Sequence, residues 1–235
     1  MIRLTSVTKH YGGLRPLRIE SFELLPKQRV ALLGFDRAAA EVLVNLITAA
    51  TLPDSGDVEI FGSPTHLITD SDTWFRSLDR FGILSDRVPL VDELSVEQNL
   101  ALPLSLDVGN MSTDLRDRVA RIADEVEITG AVRGKSMAGA DATTRMRVRL
   151  GKALALDPPV VLAEHPNADV PSDEVGPLAS VLKSIAGRRE IAMLILTADR
   201  GFATAVSNRV LTLKPSTGEL VPSSGRFGWL RRQAH

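Results

Sequence analysis

The chain has no cysteine, only four histidines and a single tyrosine in 235 residues. Without thiols, disulfides and thiolate metal sites are excluded. His10, His66, His165 and His235 lie too far apart to make a metal-ligand spacing. Net charge is also missing: the formal value is −1, so no global field points to nucleic acid. No apolar run reaches membrane-spanning length. The opening residues, MIRLTSVTKHYGG, contain no signal-peptide apolar region, so a soluble cytoplasmic protein is expected. No internal repeat or low-complexity segment interrupts the chain. Its length suits one large α/β domain or two small ones.

What is present is organised around Val30–Ala50, VALLGFDRAAAEVLVNLITAA. Val30, Ala31, Leu32 and Leu33 form a short apolar run ending at Gly34, the pattern of a central parallel strand covered on both faces. From Ala38 to Ala50 there is no Gly or Pro, and Val42, Leu43, Leu46, Ile47 and Ala50 recur at helical spacing. Strand, Gly-led turn and helix are the frame of a phosphate-binding loop, G-x-x-x-x-G-K-[ST]. Such a loop cradles phosphates on backbone N–H groups, with a Lys on the charge and a hydroxyl on Mg²⁺. Counting from Gly34, the second Gly falls on Ala39, the Lys on Ala40 and the hydroxyl on Glu41. Gly→Ala favours helix by roughly 1 kcal/mol per residue, so Ala38–Ala40 should wind into helix. Asp36 is a good N-cap residue, whose carboxylate can take the N–H groups that a phosphate would use. Glu41 would repel a triphosphate. The expectation is an anion pocket filled by the protein's own helix.

Around this unit, Ile2–Val7 and Leu17–Leu25 alternate like half-buried strands, with Tyr11 in the turn between them, placed either to stack on a flat base or to pack one side of the turn. Leu52–Asp57 reads as a turn, Val58–Gly62 and Phe81–Leu84 as strands, and Asp86–Pro89 as a loop. Leu94–Leu106 reads as a helical segment that Ser95 starts and Pro103 limits. Asp114–Glu127 is helical, with its charges on a solvated face. Ala138–Thr144 is a turn of small residues. Arg145–Leu156 is a basic helix, read as solvated rather than as a nucleic-acid face. Pro159–Ala163 and Ile191–Leu196 are further buried strands, Val175–Ile185 a helix and Arg209–Leu213 a late strand. The alternation gives an α/β fold with a mainly parallel sheet and a helical insertion between Asp86 and Leu156. Gly225–Arg232, GRFGWLRR, mixes aromatic and basic residues; a membrane surface would suit it, and a frayed tail accounts for it more simply.

Taken together, these pieces resemble the nucleotide-binding domain of ATP-binding-cassette (ABC) transporters, over almost the whole chain. "VALLG…VLVNLITAATLPDSGDVEIFG" resembles the family's strand, P-loop helix and hairpin. "LSVEQNLALPL" resembles the segment after its Q-loop, "KALALDPPVVLAEHP" the helix and Walker B strand, and "ILTADRGFATAVSNRVLTL" the H-loop region. The resemblance implies a P-loop NTPase-like three-layer core with a mainly parallel sheet, an N-terminal antiparallel β subdomain and an inserted helical subdomain. The expected bounds are 1–85 and 157–222 for the core, 86–156 for the helical part and 223–235 for the tail. The finer likeness is to compact subunits of lipid- or lipoprotein-handling exporters.

The resemblance also places the family's functional positions. The nucleotide-site positions are Tyr11, Gly34, Asp36, Arg37, Ala39, Ala40, Glu41 and Asp86. The adenine-stacking aromatic matches Tyr11, the P-loop Lys and Ser fall on Ala40 and Glu41, and the Q-loop Gln on Asp86. The signature falls on Ala140, Asp141, Ala142, Thr143 and Thr144, without its glycines. The Walker B Asp becomes Glu164, still able to hold a metal; the catalytic Glu becomes His165, better read as structural; and the H-loop His becomes Ala198. The family uses ATP and Mg²⁺, whose binding is expected here to be weak or absent. The protein so implied is a degenerate, non-hydrolysing partner of a permease or of a competent ABC subunit, as homo- or heterodimer, peripheral on the inner membrane face, with no nucleic acid. A working transport ATPase for export or import is the alternative, and a soluble scaffold the second.

Overall fold

The computed structural model describes residues 1–223; the basic and aromatic tail segment lies outside them. In chain order the strands are β1 (Ile2–Lys9), β2 (Leu17–Leu24), β3 (Arg29–Leu33), β4 (Ser55–Ile60), β5 (Ser63–Pro64), β6 (Phe81–Leu84), β7 (Val160–Glu164), β8 (Ala192–Leu196), β9 (Arg209–Lys214) and β10 (Glu219–Pro222). The helices are α1 (Arg37–Ile47), α2 (Ser71–Leu78), α3 (Val96–Ala101), α4 (Thr113–Glu125), α5 (Gly130–Arg133), α6 (Ala142–Leu154), α7 (Val175–Arg189) and α8 (Arg200–Val206).

Two sheets organise them. An antiparallel sheet runs β2-β1-β4-β5, and a second sheet runs β10-β9-β3-β8-β7-β6. In the second, β9, β3, β8, β7 and β6 are mutually parallel and only β10 is antiparallel. The apolar runs explain the order. Every residue of β7 and β8 is buried, as is β3 from Val30 onward, so these strands take the interior places that parallel sheets keep covered on both faces. β1 and β2 alternate buried and exposed residues near their starts, as a one-sided sheet requires. β6 leads into α3–α6 before the chain returns through β7, so the long helical excursion falls between two paired strands.

Several local expectations are corrected. The helix after Gly34 ends at Ile47, not Ala50, and Ala49 takes a left-handed turn at φ 56°. Strand β4 begins at Ser55, inside the expected turn, because Asp57 and Ser55 pair with β1 across a bulge. Of Leu94–Leu106 only Val96–Ala101 is helix; Ser95 and Gln98 form a capping box, and Pro103, lacking an N–H, stops the ladder. Within the expected 138–144 turn, Ala142–Thr144 already belong to α6, because Asp141 caps it and accepts the Thr144 N–H at 2.6 Å.

The cations of α6 are not a solvated face. Arg145 donates to the Met137 carbonyl at 2.9 Å, Arg147 to the Glu127 carbonyl at 2.7 Å, Arg149 to the Val88 carbonyl at 3.3 Å and Lys152 to the Pro89 carbonyl at 2.8 Å. Charge counting along the helix cannot see these acceptors, which are backbone carbonyls of segments outside it, 8 to 63 residues away. Helix α2 is an addition to the elements expected from sequence; Asp70 caps it and Trp74 donates its Nε1–H to the Thr48 carbonyl at 2.9 Å.

Candidate functional site

Strands β3, β6, β7 and β8 end on one edge of the parallel sheet, where such folds gather ligand-binding loops. After β3, Gly34 turns the chain with φ +90°, where a Cβ would be strained and would lie 3.3 Å from the Leu213 carbonyl oxygen. Phe35 then drops into the core, 2% exposed. Asp36 is the N-cap of α1, and its Oδ1 accepts the Ala39 N–H at 2.7 Å. Ala39 and Ala40 are buried against the core, Ala38 is exposed, and α1 contains no lysine. The first-turn N–H at Ala39 thus has a carboxylate of the chain itself as partner.

Arg37 and Glu41 point outward from the same helix into a cluster of charges. Arg37 donates to Asp86 Oδ2 at 2.6 Å and to Asp169 Oδ1 at 3.3 Å. Arg87, in the loop after β6, spans Glu41 and Glu164. Its Nη1 reaches Glu41 Oε1 at 3.2 Å, its Nε reaches Glu164 Oε2 at 3.2 Å, and its Nη2 bonds Glu164 Oε1. Burial opposes the charge on Arg87. The Glu164 hydrogen bond and the charges of Glu164, Glu41 and Asp86 outweigh burial and hold the guanidinium above its ordinary pKa. Arg37, Glu41, Asp86, Arg87, Glu164 and His165 line a cavity of about 190 Å³.

His165 follows Glu164 in a left-handed conformation at φ 45°. Its backbone N–H donates to the Leu196 carbonyl at 2.8 Å, while its buried Nε2 has no hydrogen-bond partner among the described residues. Ala198 is exposed in the loop after β8. Beside it, Thr197 donates to Asn167 Oδ1 at 2.9 Å, joining the loops after β7 and β8, a link that no sequence motif announces.

Tyr11, Gly12, Gly13, Arg15, Asp36 and Ala38 line a larger opening of about 600 Å³. The Tyr11 ring lies over its own turn: a Cβ on Gly13 would sit 2.9 Å from the ring. Burial first, and then the Asp36 charge, push the Tyr11 hydroxyl pKa up. Ala140, Asp141, Thr143 and Thr144 line other cavities beside α6, with no residue shared with these two. The 140–144 positions and the α1 site are therefore separate places on one chain. Neither Arg87 nor Asp169 stands out in the sequence, since nothing local marks an arginine whose partners lie on other strands and helices. Among the described residues no cluster of three or more His, Cys, Asp or Glu could hold a metal, and no helix is long and apolar enough to cross a membrane.

No protein-family model matches the chain. It is 24% identical over 221 residues to the ribose import ATP-binding protein RbsA 2 of Burkholderia ambifaria, with 91% of this chain aligned to 42% of that protein, so it spans less than half of that relative's length. It is 28% identical over 212 residues to an uncharacterized ABC transporter ATP-binding protein of Mycobacterium tuberculosis, covering 88% of this chain and 81% of that one. Among solved structures, the fold is shared with an ATP-binding cassette dimer in a post-hydrolysis state bound to ADP and Pi, at TM-score 0.77 and 21% identity over 94% of this chain and 96% of that one. It is shared too with a component of a Clostridium perfringens ABC transporter complex, at TM-score 0.78 and 16% identity over 94% and 86%. The strand–turn–helix at Gly34, the sheet order around it and these likenesses agree: over most of its length the chain is similar to ABC transporter ATP-binding proteins, and it shares the fold of their ATP-binding cassettes.

Proposed function

We propose that this ABC ATP-binding-subunit homologue does not hydrolyse ATP and acts as a structural or regulatory partner of a permease or of a competent ABC subunit. One observation carries the reading: the Asp36 carboxylate accepts the Ala39 N–H at 2.7 Å, at the helix start where a phosphate would need that donor. The residues nearby do not fit a magnesium triphosphate. No lysine stands on α1, Glu41 adds negative charge, and the Glu164 carboxylate is engaged by Arg87. Phosphoryl transfer depends on charge neutralisation and positioning, and these groups supply neither for a triphosphate.

The family positions carry the same proposal: Gly34–Glu41 as a closed anion pocket, Asp86 as a Q-loop remnant, Ala140–Thr144 as a signature without glycines, and His165 as a structural residue. So does the division into a core of 1–85 and 157–222 with a helical part of 86–156. In a head-to-tail pair with a competent subunit, one composite site would lack its phosphate loop and the other its signature. Leu94–Leu106 and the loop from Asp86 are the proposed permease contact, on the cytoplasmic face of the membrane. Calorimetric titration with ATP·Mg²⁺ and a phosphate-release assay test the reading. We expect no binding at micromolar nucleotide and no turnover; micromolar binding with turnover would establish a working ATPase instead.

A further inference from the structure

The cluster at the sheet edge contains an arrangement that the absence of hydrolysis does not require. Glu41 comes from α1 and Glu164 from the end of β7, and both carboxylates face the guanidinium of Arg87. The Glu164 side chain is 6% exposed, against 46% for Glu41 and 39% for Arg87. The contact with Glu164 uses two nitrogens on two oxygens, the charge-assisted fork that fixes both distance and plane. The more exposed contact with Glu41 adds direction more than energy. On its other side the same loop is held by α6, where Arg149 donates to the Asp86 carbonyl at 3.2 Å and Lys152 to the Pro89 carbonyl at 2.8 Å.

We propose that Arg87 is a tethered cation. From within the chain it fills the place between Glu41 and Glu164 that an outside cation would otherwise have to fill, and so locks the 85–89 loop against α1 and β7. The loop leading to α3 then keeps one position whether or not any ligand is present. That this presents a constant surface to a membrane partner rests on the proposed function; the lock itself does not, and it can be tested without nucleotide.

The test is amide hydrogen exchange on the full chain for wild type, R87A, R87K and E41Q/E164Q. The reporter is the Val88 N–H, which bonds the Ser85 carbonyl at 3.2 Å inside the loop; amides of β8 and α7, which the bonds of Arg87 to Glu41 and Glu164 do not reach, are references. Losing a forked charged contact should raise Val88 exchange about tenfold or more in R87A and in E41Q/E164Q, with the references unchanged. R87K, which keeps the charge without the fork, should fall between. Methylguanidinium chloride should restore protection in R87A, where sodium chloride at equal ionic strength does not, and should not restore it in R87A/E164Q. Wild-type protection in R87A, or equal restoration by both salts, overturns the proposal. If R87A does not fold, wild-type protection in R87K overturns it equally. Micromolar ATP binding with turnover by the wild type would overturn the proposed function and leave this result untouched.

Discussion

Removing the Asp36 carboxylate should cost stability and change the ionisation of Tyr11 together. In D36A the Ala39 N–H loses its 2.7 Å partner and the helix start loses a negative charge. An N-cap change to Ala costs about 1 kcal/mol, and in a domain of this size each kcal/mol moves Tm by about 2–4 °C. D36N keeps an acceptor of equal capping quality and loses only the favourable interaction with the helix dipole, at most about 1 kcal/mol. The melting order should therefore be wild type, then D36N, then D36A. The second readout is unusually clean because Tyr11 is the sole tyrosine of the chain, so phenolate absorbance reports it alone. Part of its upward pKa shift comes from the Asp36 charge, behind burial. Both variants should thus titrate Tyr11 at lower pH than wild type, by a similar amount because both remove the charge. Inorganic sulfate, which competes with no carboxylate in D36A, should raise the Tm of D36A more than that of wild type. A D36A protein with unchanged Tm and an unmoved tyrosine titration would refute the reasoning, since the carboxylate would then be neither cap nor neighbour.

Further expectations concern the frame around the site. Gly56→Ala should destabilise more than Gly62→Ala in urea unfolding. Both have positive φ, worth about 1–2 kcal/mol of strain, but only at Gly56 would the Cβ meet backbone, 2.3 Å from the Ser6 carbonyl oxygen, adding about 1–3 kcal/mol. Arg189→Met should cost about 2–3 kcal/mol, read by the same method, because it strips a forked partner from Glu125, which is 16% exposed, and frees Asp157 and the Leu154 carbonyl. Asp141→Ala tests a pH dependence. Its pKa is held below the ordinary value by hydrogen bonding to Thr144, so its stabilising effect is present above the unfolded carboxylate pKa and is lost as pH falls through the lower folded one. Thermal melts should show a deficit for this variant of about 1 kcal/mol at neutral pH that shrinks in acid.

Much of the frame is legible in the sequence because its causes are local. A run such as Val30–Leu33 or Met193–Leu196 has no polar face, so it must be an interior strand wherever the sheet places it. Ser95 with Gln98, and Asp36 before three alanines, state their helix starts within a few residues. Helix α2 escapes such a reading because no residue in it is fully buried, so no apolar stripe announces it, although Asp70 signals its cap. The basic side chains of α6 mislead because their acceptors are backbone carbonyls that carry no sequence signal.

By itself the sequence determined which segments must be buried strands, where α1 begins, and that no thiol, metal-spaced histidine set or lysine stands beside Gly34. Those follow from side-chain chemistry acting over a single turn or strand. Only the tertiary structure decided that Arg87 bridges Glu41 and Glu164, since β6 and β7 become neighbours only when the parallel sheet closes. Only it decided that the Tyr11 ring rests on Gly13 and that the loop after β6 is held from both sides. A charge pair separated by 77 residues has no local cause; it exists because the strand order brings two loop ends to one edge of the sheet.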